Sequence, residues 1–461
     1  MSAEGLRASE VKMVAAGVPD VAIATFAHYY RQLEAGETGL VPEADIAPVE
    51  SLPSFDDLPD ADARDVLDRA VAIKLNGGLG TSMGMTRAKS LLPVKDGLTF
   101  LDVIVRQVLD LRKRHGVRLP LVLMNSFYTR EESLRALAND AGIESDVPLD
   151  FVQNREPKLR ADDALMPVRW PADPDLEWCP PGHGDLYTAL VTSGMLEALL
   201  DRGYEYAFVS NSDNLGAVLD PRILAWFAAE EVPFLMEVAD RTEADRKGGH
   251  LAARASDGQL VLREIAQTPD EDQDAFQDVS RHRFFNTNTL WVSLRALAGV
   301  LEARDNVLGL PMIVNRKTVD PGDSASPEVF QLETAMGSAI AVFDGARALR
   351  VPRERFAPVK TTNDLLALRS DAYELTDDAH VVLVPGRDGG APLIDLDPAH
   401  YKLLDGFEAR FPAGAPSLVD CERLAVRGDV TFGAGVVVRG DVTIDAGDEN
   451  RRIADGMVIE P

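Results

Sequence analysis

The segment that most restricts the fold is Lys74-Leu75-Asn76-Gly77-Gly78-Leu79-Gly80-Thr81-Ser82-Met83-Gly84, which follows directly on the apolar run Val71-Ala72-Ile73. A short apolar run that ends in glycines is the pattern of a buried parallel strand. Four glycines between positions 77 and 84 let a backbone approach a phosphate closely and aim N–H groups at it. The run is not a Walker A loop, because no Gly-Lys-Ser/Thr closes it. Nor is it a dinucleotide fingerprint, because Gly80 is followed by Gly84 and position 83 is Met. By itself it fits a ligand cradle and a tight turn equally. Lys89, with Arg87, adds cations within reach of the loop, although a lone surface lysine is ordinarily a solvated charge.

Downstream, strand and helix signals alternate. Leu101, Ile104, Val105, Val108 and Leu111 share one face of a helix over 100–115, with Thr99 as N-cap and Gly116 as stop. A strand over 121–124 follows, and Thr129 with Glu132 predicts a capping box for the next helix. Strand-like runs at 150–153, 207–210, 234–238 and 290–292 alternate with helical stretches near 194–200, 221–230 and 329–343. This rhythm predicts an α/β fold, a mostly parallel sheet with helices on both faces, whose ligands bind beyond the carboxyl ends of the strands. Near the C-terminus Val426, Phe432, Val438 and Ile444 recur at every sixth position among glycines. That spacing predicts a small parallel β-helix serving as a cap or interface element. Residues 1–60, with short helical pieces and proline-rich links, read as a helical extension and not as a core. Three parts result: 1–60, an α/β domain over 61–405, and 406–461.

A chain of 461 residues exceeds what one core usually serves. No apolar run approaches the roughly 20 residues of a membrane helix, and no secretory signal is visible, so a soluble, cytoplasmic protein with no membrane partner is expected. Cys179 and Cys421 lack disulfide or metal spacing and read as plain thiols. A formal charge of -28 argues against a general nucleic-acid binder. A small anion can still be held locally, because such fields are screened beyond roughly 8 to 10 Å.

Four further runs carry chemistry. In Pro180-Pro181-Gly182-His183-Gly184-Asp185 glycine and proline frame an imidazole able to donate to a sugar hydroxyl or phosphate. In Phe208-Val209-Ser210-Asn211-Ser212-Asp213-Asn214 an apolar strand runs into a carboxylate, which suits either Mg2+ with substrate phosphates or an Asx turn. Asn286-Thr287-Asn288-Thr289-Leu290-Trp291 is the third. In Val359-Lys360-Thr361-Thr362-Asn363-Asp364-Leu365 the lysine stands just ahead of a helix N-terminus, where anions are favoured.

Together with the glycine run, in this order, these segments resemble the UTP-glucose-1-phosphate uridylyltransferase family of the eukaryotic-like type, from about residue 60 onward. Gly248-Gly249, Glu264-Ile265-Ala266-Gln267 and Gln331-Leu332-Glu333-Thr334-Ala335 extend the similarity. The resemblance implies a Rossmann-like nucleotidyltransferase domain with a C-terminal left-handed β-helix. It implies that Leu75, Asn76, Gly77 and Gly78 hold the nucleotide, Lys89 its phosphates, and Gln153 and Gly182 the uracil. His183, Asn211, Ser212, Glu264 and Asn288 would face the sugar phosphate, Asp213 would bind Mg2+, and Lys360 would support transfer beside the phosphates. The implied substrates are UTP and glucose 1-phosphate. Rival readings are the same chemistry on galactose or N-acetylglucosamine 1-phosphate, and a non-catalytic nucleotide-sugar-binding protein. Association of copies through the C-terminal region is a further expectation. The chain departs from the family at Arg87-Ala88, where Gly-Pro is usual, at Met85, and at Thr289, where a second Asn is common.

Overall fold

In the strands of the central sheet successive side chains enter two different cores, which is why these segments are apolar throughout. Ala70, Ala72, Leu121, Leu123, Phe208 and Leu235 pack on one face; Val71, Ile73, Val122, Met124, Val209 and Met236 pack on the other. A computed structural model describes residues 2–138, 140, 142–162, 164–387 and 390–461. Its main sheet contains β1 (Ala70–Asn76), β2 (Leu121–Asn125), β3 (Asp150–Val152), β4 (Tyr206–Asn211), β5 (Phe234–Asp240), β6 (Phe284–Ser293) and β7 (Arg347–Arg350). β1 lies between β2 and β4, parallel to both, and β2 pairs in parallel with β3. β6 runs antiparallel between β4 and β5, and β7 is parallel to β5. All but β6 of these strands therefore share one direction, and the sheet is mostly parallel.

Helices Phe100–His115 and Pro221–Ala229 cover the first face. Leu186–Thr192, Met195–Asp201 and Leu294–Glu302 cover the second. The capping signals around the first helix hold: Thr99 and Asp102 form a reciprocal box, and Gly116 closes the helix in the left-handed region at φ 65°.

The box expected at Thr129 and Glu132 does not form. Thr129 takes helical dihedrals, and its hydroxyl turns back to accept from the Ser126 N–H at 2.9 Å. Glu132 is drawn instead to the glycine loop, accepting from the Ala88 N–H at 3.4 Å and lying 3.7 Å from Arg87 Nε. The helix expected over 329–343 is also replaced, by the strand Glu328–Thr334 and a 3-10 turn at Met336–Ala341. Val329, Leu332, Met336, Ala339 and Phe343 are all buried at helix-like spacing. Antiparallel pairing with Met312–Thr318 overrides that local period.

Helices Ser2–Ala15 and Asp20–Glu34 are longer than short pieces, and Phe26, Tyr29 and Tyr30 bury a small core against Leu159 and Leu332. At the other end Leu393–Leu396, Cys421–Arg427 and Gly440–Asp445 form a parallel sheet. Val430–Phe432 pairs in parallel with Arg451–Ile453, and Val437–Val438 with Val458–Ile459. Val426, Phe432, Val438 and Ile444 are buried and join the core under helix Phe100–His115. Among the described residues no helix is long and apolar enough to cross a membrane.

Candidate active site

Beyond the carboxyl ends of β1, β3 and β4 the chain opens a cleft of about 350 Å³. Its floor is knitted by amides. Asn76 Nδ2 donates to Asn125 Oδ1 and to Ser133 Oγ, both at 2.8 Å. Ser212 Oγ donates to the Leu75 carbonyl and, at 3.2 Å, to Asn76 Oδ1. These bonds tie together the ends of β1, β2 and β4, so Asn76 and Ser212 shape the floor while also lining it.

On one side of the cleft stand Leu75, Asn76, Gly77, Gly78, Lys89 and Gln153. The Gln153 amide lies so close to Gly77 that a Cβ there would meet its Oε1 at 3.2 Å. Lys89 N–H donates to the Gly78 carbonyl at 3.0 Å, which curls the loop back on itself. Its Nζ reaches Asp213 Oδ2 at 2.6 Å. On the other side stand Gly182, His183, Asn211, Ser212 and Asp213. Gly182 holds φ 79°, and a Cβ there would sit 2.5 Å from the Thr334 carbonyl oxygen, so the loop docks on strand Glu328–Thr334 only as glycine. Ser90, Met124 and Pro180 complete the lining; sequence reasoning assigned them no role, since nothing in their residue types announces one.

His183 accepts a hydrogen bond at Nδ1 from the Met336 N–H at 3.0 Å. The neutral ring therefore carries its proton on Nε2, as a donor. The ring is open to the cleft yet surrounded by protein, and this desolvation lowers its pKa to about 4. Two residues on, Asp185 is buried beneath the loop and takes hydrogen bonds from Asn154 N and Nδ2. Burial outweighs those bonds and raises its pKa to about 7.

Lys360, Glu264 and Asn288 lie outside the immediate lining. The Val359 N–H donates to the Asp213 carbonyl at 3.0 Å, which brings Lys360 beside the metal candidate. Helix Thr362–Arg369 opens with a capping box of Thr361 and Asp364, and the Lys360 N–H also donates to Asp364 at 2.8 Å. The Lys360 side chain is exposed. Glu264 packs against Gly249, where a Cβ would lie 2.5 Å from its carboxylate. Burial raises its pKa and the charge of Lys360 opposes that rise, so the two groups sense each other. Asn288 sits at φ 56° where the register of β5 against β6 shifts, and Asn286 Nδ2 donates to its side-chain oxygen at 2.9 Å.

Behind the cleft is a buried charge cluster that the sequence did not announce. Arg355 makes two 2.7 Å bonds to Glu237, and the Trp291 indole donates to the same carboxylate at 2.9 Å. Lys74 bonds Ser210 Oγ and the Ala217 carbonyl; burial, then the nearby Arg355, lowers its pKa to about 7. The cluster braces β1, β4 and β5 from below.

Residues 23–439 match the family model described as UTP–glucose-1-phosphate uridylyltransferase. A uridylyltransferase of that name from Solanum tuberosum is 43% identical over 417 residues, covering 90% of this chain and 84% of the relative. Among solved structures, a mutant of the Leishmania major UDP-glucose pyrophosphorylase in complex with UDP-glucose superposes with a TM-score of 0.94 at 47% identity. The match covers 100% of this chain and 98% of that one. A UDP-glucose phosphorylase from Trypanosoma brucei gives 0.91 at 48% identity, covering 99% and 98%. With its glycine loop, Lys89 and Asp213 together at the strand ends, the chain belongs to the UTP–glucose-1-phosphate uridylyltransferase family.

Proposed function

We propose that this cleft is where the protein, a nucleotidyltransferase, transfers the uridylyl group of UTP to glucose 1-phosphate, forming UDP-glucose and pyrophosphate. A phosphate oxygen of the sugar phosphate attacks the α-phosphorus of UTP. The bond from that phosphorus to the bridging oxygen breaks, and pyrophosphate leaves with the electron pair. Two anions must meet in line, so catalysis is alignment and charge neutralisation, with no nucleophilic side chain required.

The observation that carries this reading is the contact of Lys89 with Asp213 at the mouth of the glycine loop, with Lys360 tethered alongside. In our assignment Gly77 and Gly78 present backbone to the triphosphate, and Gln153 and Gly182 hold the uracil. Lys89 and Lys360 neutralise phosphates. His183, with Nε2–H as donor, and Asn211, Glu264 and Asn288 take the sugar phosphate. Among the described residues no group of three or more His, Cys, Asp or Glu is placed to hold a metal ion by itself. The protein thus offers one carboxylate, Asp213, which fits Mg2+ carried mainly by phosphate and water oxygens. Bound there, the ion would neutralise charge on the triphosphate.

The test is pyrophosphate release with UTP, Mg2+ and a panel of glucose, galactose and N-acetylglucosamine 1-phosphates. Turnover on glucose 1-phosphate at the highest kcat/KM is expected; none on any sugar would refute the assignment. We further read the C-terminal strands as a left-handed β-helix, since residues roughly one coil apart pair in parallel on three sides. Self-association through it is tested by light scattering on the intact chain, and cytoplasmic residence by cell fractionation.

A further inference from the structure

A second cavity, of about 560 Å³, lies on the far side of Gln153 from the nucleotide cleft, and that residue walls both. It runs between the Gly17–Pro19 turn, the end of β3 and the helix Met195–Asp201. Phe127 lines it and is 58% exposed, beside Tyr128 at 62%. Exposed neighbouring aromatics of this size are uncommon on a surface that binds nothing.

Arg155 supplies the second observation. Its guanidinium stands over the rings of Phe127 at 5.3 Å and Trp178 at 4.7 Å. Among the described residues its one hydrogen bond is to the Ala16 carbonyl at 3.3 Å, and it forms no ion pair. Arg130 on the same wall differs, because Asp150 neutralises it at 2.8 Å. In a chain of net charge -28, an arginine held rigid by aromatic faces and left without a carboxylate is a ready anion receptor.

We propose that this groove binds a small aromatic anion, its ring against Phe127 and its anionic group at Arg155. The site is separate from the one assigned to uridylyl transfer, and its position behind Gln153 rests on that assignment. The intact protein is titrated with 1-anilinonaphthalene-8-sulfonate under saturating UDP-glucose, which occupies the nucleotide cleft. A saturable site is expected to persist, to weaken about tenfold in Arg155→Ala and in Phe127→Ala, the scale of one lost charge-assisted or stacking contact, and to vanish in Ala198→Trp, which fills the groove. Uridine monophosphate and phenylpyruvate serve as displacing ligands: the one that competes identifies a nucleotide or an aromatic carboxylate as the source. Binding unchanged in all three variants, probe displaced by UDP-glucose, or failure of both competitors overturns the proposal. Phe127 is largely exposed, so its truncation keeps the fold and the test stands even where Arg155→Ala does not fold. Turnover without the probe is expected to be unchanged in Phe127→Ala. Absence of uridylyl transfer in the wild-type protein, with the probe site intact, would instead count against the uridylyl-transfer reading alone.

Discussion

Lys89 Nζ and Asp213 Oδ2 stand 2.6 Å apart, so the cation assigned to the triphosphate and the carboxylate assigned to Mg2+ neutralise one another across the cleft mouth. Substrate and metal together can replace this pair without leaving either charge bare. Lys89→Ala removes a cation from the transition state and is expected to lower kcat about 10² to 10³-fold, the loss seen when one oxyanion donor is removed. The pair is partly solvated, so stability should change by no more than about 1 kcal/mol. Steady-state kinetics alongside thermal melts check both, and kcat within about threefold of wild type would remove Lys89 from the mechanism.

Gly182 is bound to its residue type by two independent constraints, a left-handed φ of 79° and a carbonyl 2.5 Å from any Cβ. Gly182→Ala is expected to cost about 1 to 3 kcal/mol of stability and to shift the loop that carries His183. The KM for UTP should rise more than kcat falls, because the loop serves binding on the uracil side. A variant with unchanged KM and unchanged melting temperature would show that the loop has room the structure denies it.

How far the sequence reveals this site depends on the range of the interactions. The glycine loop, the Pro180–Asp185 run and the Asn211–Asp213 turn are each local: a strand ends, the chain turns, and the polar residues fall where parallel strands expose their carboxyl ends. The nearness of Lys360 to Asp213 depends on bonds joining Val359, Ala357 and Arg355 to the Asp213–Asn214 turn, between segments well separated in sequence, which no local pattern encodes. The error over 329–343 has the same origin, since its apolar spacing suits a helix until Met312–Thr318 offers a ladder. Lys74 and Glu237 stand singly in apolar strands, and only the fold brings Arg355 to them.

Asp185 gives a pH signature with a definite sign. Its folded pKa, raised by burial to about 7 from 3.8, exceeds the unfolded value. Its contribution to stability is thus fully present below about pH 4 and is lost as the pH rises through 7. At roughly 1.4 kcal/mol per unit, the loss is on the order of 4 kcal/mol at most. Urea midpoints of wild type and Asp185→Asn, measured from pH 4 to 8, should therefore diverge, with wild type weakening relative to the variant as pH rises. Parallel curves would mean that the carboxyl ionises freely under the loop.

Lys360 separates catalysis from folding more cleanly than any other residue of the site. Its side chain is exposed, while its backbone N–H and that of Val359 hold the Asp364 cap and the Asp213 carbonyl. Lys360→Ala keeps both bonds, so the melting temperature should stay near that of wild type while kcat falls about 10² to 10³-fold. Lys360→Arg restores charge but replaces a compact ammonium with a planar fork, and partial recovery is expected. Removing the cation also removes what opposes the raised pKa of Glu264. Any limb of the pH–rate profile that reports this carboxyl should therefore move to higher pH in Lys360→Ala and return in Lys360→Arg, a shift that mere loosening of the helix start would not produce.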